Sequence, residues 1–235
     1  MAQPSHDVPS LTVVTLRRSF YVGRIYVISG AAFPALFAIL LLSVPSGAQL
    51  LSLIFPLELP VFAVIGSMGA LLIFTADRTK GVLEYMIAYG IRPVRLFSNG
   101  LISALGLGGL VLGVAIGVAL AALRATGGSI PVGLVELLVL YTIPMGLAAV
   151  AFATMVGMIW SSMSTPRTGI NSPIGLAPMI GLAPVLVVLV VVPAASPSQG
   201  LVLAGSSAAV LTAAVLGLLA VSGRLLGGER FLSPM

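Results

Sequence analysis

The sequence predicts an all-α, polytopic membrane protein with six transmembrane helices, on three observations. Apolar residues make up 59% of the 235 positions and charged residues only 7%, against roughly 25% charge in a soluble domain. Mean hydropathy is +1.19, and such a chain cannot cover a water-facing surface. Six apolar runs, each near or above the ~20 residues that cross a bilayer, are joined by short connections. No stretch is long or polar enough for a separate soluble domain, so 1–235 reads as one transmembrane domain.

The runs are Tyr26 to Val44, Leu59 to Ala76, Phe97 to Leu123, Pro131 to Trp160, Pro173 to Pro193 and Leu201 to Ser222. The fourth exceeds a core of ~30 Å, so it is expected to tilt, to kink at Pro144 or to extend into water. Polar or mixed residues precede the first run, which argues against a cleavable signal peptide and for an anchor that stays. Segment 1–25 carries Leu11, Val14, Leu16, Phe20 and Tyr21 with Arg17, Arg18 and Arg24. It suits an interfacial helix with its arginines toward anionic headgroups, or a basic flank that sets topology.

Loop charge sets the orientation. With the N-terminus inside, cytoplasmic positions hold Arg17, Arg18, Arg24, Arg78, Lys80, Arg92, Arg95, Arg167, Arg224 and Arg230, and the outer loops hold only Arg124. Ten cations against one predict cytoplasmic termini in the cell (plasma) membrane. Tyr21, Tyr26 and Trp160 fall at the inner interface, where amphipathic rings are favoured. The net charge of +5 is thereby assigned to topology, and no nucleic-acid partner is expected. The absence of cysteine excludes disulfides, thiolate metal sites and cysteine nucleophiles.

The segment 77–95 is the one charged stretch enclosed between spans. Gly81 to Tyr89 reads as about two helical turns, with Val82, Leu83, Met86 and Ile87 on one face and Glu84 on another. Gly90 ends this helix and Pro93 opens the next. An ordinary basic loop is the alternative.

The pattern Asp77-Arg78-x-Lys80-Gly81-x-Leu83-Glu84, followed by Ile91, Arg92 and Arg95, resembles the first cytoplasmic loop of type-two ABC exporter permeases. The ending Gly228-Glu229-Arg230-Phe231-Leu232, within the tail 223–235, is similar to the short charged tail of that family. A weaker resemblance is to the haem-exporter B subunit of cytochrome c maturation. The resemblance implies a coupling helix between spans two and three that docks in a groove of an ATP-binding subunit. It also implies a second permease copy, or a paralogous permease, completing the translocation path. Coupling then falls to Arg78, Lys80, Leu83, Glu84, Met86, Ile87 and Arg92, the apolar three filling the partner's groove. One departure stands out: the family often has small helices outside between spans five and six, where Ala194 to Gly200 is short.

The chain contains no phosphate-binding loop of the Gly-x-x-x-x-Gly-Lys-Ser/Thr type. ATP and magnesium are therefore expected on the partner, with no cofactor here. In span three, Gly109, Gly113 and Gly117 recur every fourth residue; packing within the chain is the first expectation, a homodimer seam or a substrate path the others. Span five carries Pro178 and Pro184, which suggest a kinked or broken helix that helps a gate move. Glu136 is a candidate path residue. His6, the one histidine, sits in the polar N-terminal tail.

The leading functional expectation is thus a membrane-spanning permease subunit, of exporter type. An intramembrane enzyme needs a His-Glu-x-x-His zinc motif, facing aspartates or a serine with a histidine base; none is present. An ion-coupled secondary carrier needs buried charges near the midplane. A membrane anchor or assembly protein would bind an ATPase without transport. A mostly apolar interior suits a lipid, a drug or an amphipathic peptide as cargo.

Overall fold

The computed structural model describes residues 10–44, 46–127, 129–163, 173–191 and 197–225. The described residues are helical and contain no strand. The helices are α1 (Leu11–Leu42), α2 (Gly47–Thr79), the short α3 (Val82–Ala88), α4 (Pro93–Ala125), α5 (Val132–Leu137), α6 (Ile143–Met163), α7 (Pro173–Val191) and α8 (Pro197–Leu225), with a π-helical turn at Leu138–Thr142 joining α5 to α6. Five stretches are long and apolar enough to cross a membrane: α1, α2, α4, Val132–Ser161 and Gln199–Val221. A shorter apolar stretch, Leu176–Val191, lies within α7. The chain therefore has the character of a membrane-embedded protein.

Paired contacts give the helix directions. Gly100 meets Met158 and Gly146 meets Leu112, so α4 and α6 run antiparallel. Gly157 meets Leu71, and Thr142 bonds to Pro56, so α2 and α6 run parallel in constant register. α2 is the most buried of the long helices and α1 and α8 the most exposed. The core accordingly centres on Leu51, Phe55, Leu59 and Ala63 of α2, packed with Tyr141, Met145, Met155 and Met158. The outer flank of α1 exposes Ile25, Ile28, Phe33 and Leu36, as lipid-facing sequence does.

The sequence misplaces two boundaries, for identifiable reasons. α1 starts at Leu11 and runs unbroken to Leu42, so Arg17, Arg18 and Arg24 of the basic flank belong to the same helix as the first apolar run. Ser10 caps it, accepting from the Val13 amide, as N-cap serines do. α2 starts at Gly47, twelve residues before the expected Leu59, and passes through Pro56 and Pro60. A proline frees the carbonyl four residues earlier, and in lipid that group must find a donor. Pro60 frees the Pro56 carbonyl, and the buried Thr142 hydroxyl donates to it at 2.9 Å. That hydroxyl belongs to the π turn, next to Pro144. The turn presents Thr142 to the carbonyl that Pro60 frees in α2.

Thr142→Val removes the donor while keeping the shape, so it should lower stability by about 1–3 kcal/mol. Thr142→Ser should retain most of it. Equal melting temperatures for wild type and Thr142→Val would contradict the role.

α7 continues as a helix through Pro178 and Pro184, so the break considered at these prolines is not formed. Pro178 is buried and Pro184 half-buried. Gly181 between them lies against Ala153 and the Ala149 carbonyl of α6. Close packing on α6 supports this helix where its prolines remove amide donors.

Candidate functional site at the charged end of the bundle

The N-terminal turns of α1, the C-terminal turns of α2, all of α3 and the first turns of α4 meet at one end of the bundle. That end gathers Arg17, Arg18, Arg78, Lys80, Arg92 and Arg95, while Arg124 closes α4 at the other.

Two polar ties brace it. Arg18 donates to both carboxylate oxygens of Asp77, at 2.8 and 3.1 Å. Asp77 is buried, whereas the Arg18 side chain is 45% exposed. The Thr12 hydroxyl donates to Oδ1 of the buried Asn99 at 2.7 Å. Between the ties lies a cavity of about 60 Å³, bordered by Arg18, Asp77, Leu83, Met86 and Asn99. The Asn99 amide nitrogen is buried without a partner, and a cavity of this size admits water.

The two halves of the ion pair are unequal. Asp77→Asn leaves Arg18 able to reach water and should cost under ~1 kcal/mol. Arg18→Ala strands a buried carboxylate and should cost about 2–4 kcal/mol. Melting temperatures of the two variants test this ordering, and the reverse order would sink it.

α3 begins at Gly81 (φ +70°) and is followed by Gly90 (φ +84°), left-handed positions that favour glycine. The short helix read over Gly81 to Tyr89 thus forms as Val82–Ala88, and α4 starts at Pro93 as expected. Its orientation differs from the expectation. Leu83 is buried, Ile87 packs against the core and Met86 borders the cavity. The apolar face belongs to the bundle, so Leu83 and Ile87 are not available to fill a partner's groove. The side left outward carries Tyr85 and Tyr89, 62% and 72% exposed. Their rings stand 4.5 Å apart, and the Tyr85 hydroxyl donates to that of Tyr89 at 3.0 Å.

Of the other residues singled out on this loop, Lys80 and Arg92 are exposed beside α3, and Arg78 and Glu84 are half-buried. Nε and Nη1 of Arg78 and one Glu84 oxygen are buried without hydrogen-bond partners. The Glu84 carboxylate attracts the Arg78 guanidinium electrostatically.

The hydrogen bond to Tyr89 holds the Tyr85 phenol above its ordinary value, with a smaller contribution from burial. The protonated form is favoured in the folded chain. Its contribution is present below the ordinary tyrosine range near ~10 and is lost as pH rises through the folded value. Tyr89→Phe should shift one tyrosinate absorbance step to lower pH; an unchanged titration would contradict the bond.

The remaining candidates lie apart from this end. Gly109, Gly113 and Gly117 have none of the described residues within 4 Å of the position of an added Cβ. They do not pack within the protomer, contrary to the first expectation, because the buried face of α4 is carried by Ala104, Leu107, Gly108, Val111 and Ala115. Close approach occurs instead at Gly23 and Gly30 of α1 against Gly66 and Gly69 of α2. Glu136 is exposed on the outside of α5 and lines no interior path in the protomer. His6, Arg167, Arg230 and the charged ending lie outside the described residues. So do 192–196 of the short connection, while α8 already begins at Pro197. Among the described residues no cluster of metal-ligating side chains occurs.

Sequence reasoning missed Tyr85 and Tyr89, although an aromatic pair four residues apart on a helix is a readable signal. It also missed the pairing of Arg18 with Asp77, which no local spacing announces. No protein-family model matches the chain, and neither a curated protein nor a solved structure matches it.

Proposed function

We propose that the chain is the membrane-spanning subunit of an ATP-driven transporter of exporter type, coupled through α3 to a separate ATPase. The observation that carries this reading is the seating of α3. Seven residues are pinned to the bundle on their apolar side by Leu83 and Ile87, and two tyrosines whose rings tilt against each other face away. A helix fixed to its own membrane helices transmits a push as a rigid body, which a loose loop does not. Exposed tyrosines on a segment followed by the exposed Arg92 and Arg95 suit a partner groove of apolar floor and acidic rim. The absence of a phosphate-binding loop assigns hydrolysis to the partner.

In this reading α7 crosses the membrane with the five longer stretches, which makes six spans with both termini cytoplasmic. A second copy, or a paralogous permease, lies across from the first, and the open Gly109–Gly113–Gly117 face of α4 supports such a neighbour. ATP binding draws the two ATPases together, and α3 carries that movement to α2 and α4.

The test is co-purification of the chain with a nucleotide-hydrolysing subunit whose turnover changes when the two are joined in a bilayer. No associated ATPase would sink the reading. An ATPase that binds without a change in hydrolysis would mark an anchor.

A further inference from the structure

Beside the braced end, α1 and α2 flank an open groove of about 670 Å³. We infer that this groove binds the phosphate headgroup of an anionic phospholipid, with Arg17 and Lys80 as its direct ligands. Four observations carry the assignment.

The first is charge. Arg17, Arg18 and Lys80 border the groove against one carboxylate, Asp77, so three positive charges less one negative leave an excess of two. The second is availability. Arg18 is committed to Asp77 through both its terminal nitrogens, whereas Arg17 and Lys80 are exposed and form no ion pair among the described residues. The Arg18–Asp77 pair is thus a fixed part of the groove wall, and Arg17 and Lys80 are left for a ligand.

The third observation is the outer wall. Phe20, Tyr21 and Val22 border the groove and are 45%, 70% and 50% exposed. Arg24 stands 5.4 Å over the Tyr21 ring, a cation–π distance, and holds that ring at the rim with a further positive charge nearby. Aromatic side chains with cations are the residues of a membrane interface. The fourth is continuity. Beyond this wall the exposed flank of α1 is apolar through Ile25 and Ile28, a surface on which acyl chains can lie.

This wall decides between two sources of phosphate. A soluble anion gains nothing from Phe20, Tyr21 and Val22. A phospholipid covers them with its glycerol and first methylenes while its headgroup meets Arg17 and Lys80. Basic residues at a membrane surface attract anionic lipid in the same way, and here two helices gather them into a recess.

The experiment is a native mass-spectrometric titration of the whole protein in detergent with phosphatidylglycerol and with phosphatidylcholine of the same chains. The first phosphatidylglycerol should bind more tightly than the first phosphatidylcholine. Arg17→Gln with Lys80→Gln should lower the phosphatidylglycerol affinity roughly fivefold per cation and about thirtyfold for the pair. Phosphatidylcholine binding should stay unchanged. Both side chains are exposed, so the melting temperature serves as the folding control. Ala76→Phe fills the groove without touching a charge and should weaken phosphatidylglycerol as well, which keeps the test open if the double variant unfolds. Retained preference for phosphatidylglycerol in either folded variant would overturn the proposal. Competition by glycerol phosphate at the concentrations at which the lipid binds would overturn it too, by marking a site for soluble phosphate.

Discussion

Gly69→Leu should abolish the folded protein. A Cβ at Gly69 would collide with the Ser19 carbonyl oxygen and lie 2.8 Å from the Gly23 Cα, and one at Gly23 would lie 2.5 Å from the Gly69 Cα. The obstacles are main-chain atoms of a facing helix, so no rotamer change relieves them. α1 must move away, which breaks the Arg18–Asp77 pair and parts Thr12 from Asn99. Overpacking a core side chain costs ~1–3 kcal/mol; forcing two backbones apart costs more, comparable with the whole stability of a domain at ~5–15 kcal/mol. Leucine at Gly109, where an added Cβ meets none of the described residues, should leave the protomer's stability within ~0.5 kcal/mol of wild type. Yield and thermal melting in detergent compare the two. A folded Gly69→Leu protein with native stability would refute the helix contact.

The second large effect concerns α3. Tyr85→Asp with Tyr89→Asp should release the ATPase from the membrane subunit while leaving it folded, because both rings are mostly exposed. Interface tyrosines cost ~2–4 kcal/mol each when they act as hot spots, so the pair should weaken association by at least about a thousandfold. Leu83→Ala makes the complementary case. It empties a buried site, should cost about 2–4 kcal/mol of stability, and should leave the affinity of the surviving folded protein near wild type. A double tyrosine variant that binds and stimulates the ATPase normally would remove α3 as the docking element. Binding lost in Leu83→Ala but kept in the tyrosine variant would restore the apolar face as the contact.

Much of the fold was legible because the apolar runs and their breakers carry it. Gly81, Gly90 and Pro93 delimit α3 and α4 to within a residue or two. The start of α2 at Gly47 was not legible across Pro56, and the position of Thr142 explains how the helix satisfies the carbonyl that Pro60 frees. The direction in which α3 faces was not legible. Periodicity groups Val82, Leu83, Met86 and Ile87 on one side but is silent on whether that side meets the chain's own helices or another protein. The glycines carry the same lesson. Gly109, Gly113 and Gly117 have the more regular spacing and lie open, while Gly23 and Gly69 touch although they stand on different helices. A contact of that kind is a property of the pair and leaves no pattern in either segment alone.

The bond between Thr142 and Pro56 has a consequence for biosynthesis. The two residues are 86 positions apart. At roughly 5–20 residues per second, the Pro56 carbonyl is made about 4–17 seconds before its donor. Gly23 and Gly69 are both available much earlier, so α1 and α2 can pair as a hairpin while that carbonyl still lacks its partner in the bilayer. The nascent hairpin therefore carries the Pro56 carbonyl open until the π turn is synthesised, and arrest of translation between α4 and α6 should leave it the stage most readily attacked by membrane proteases.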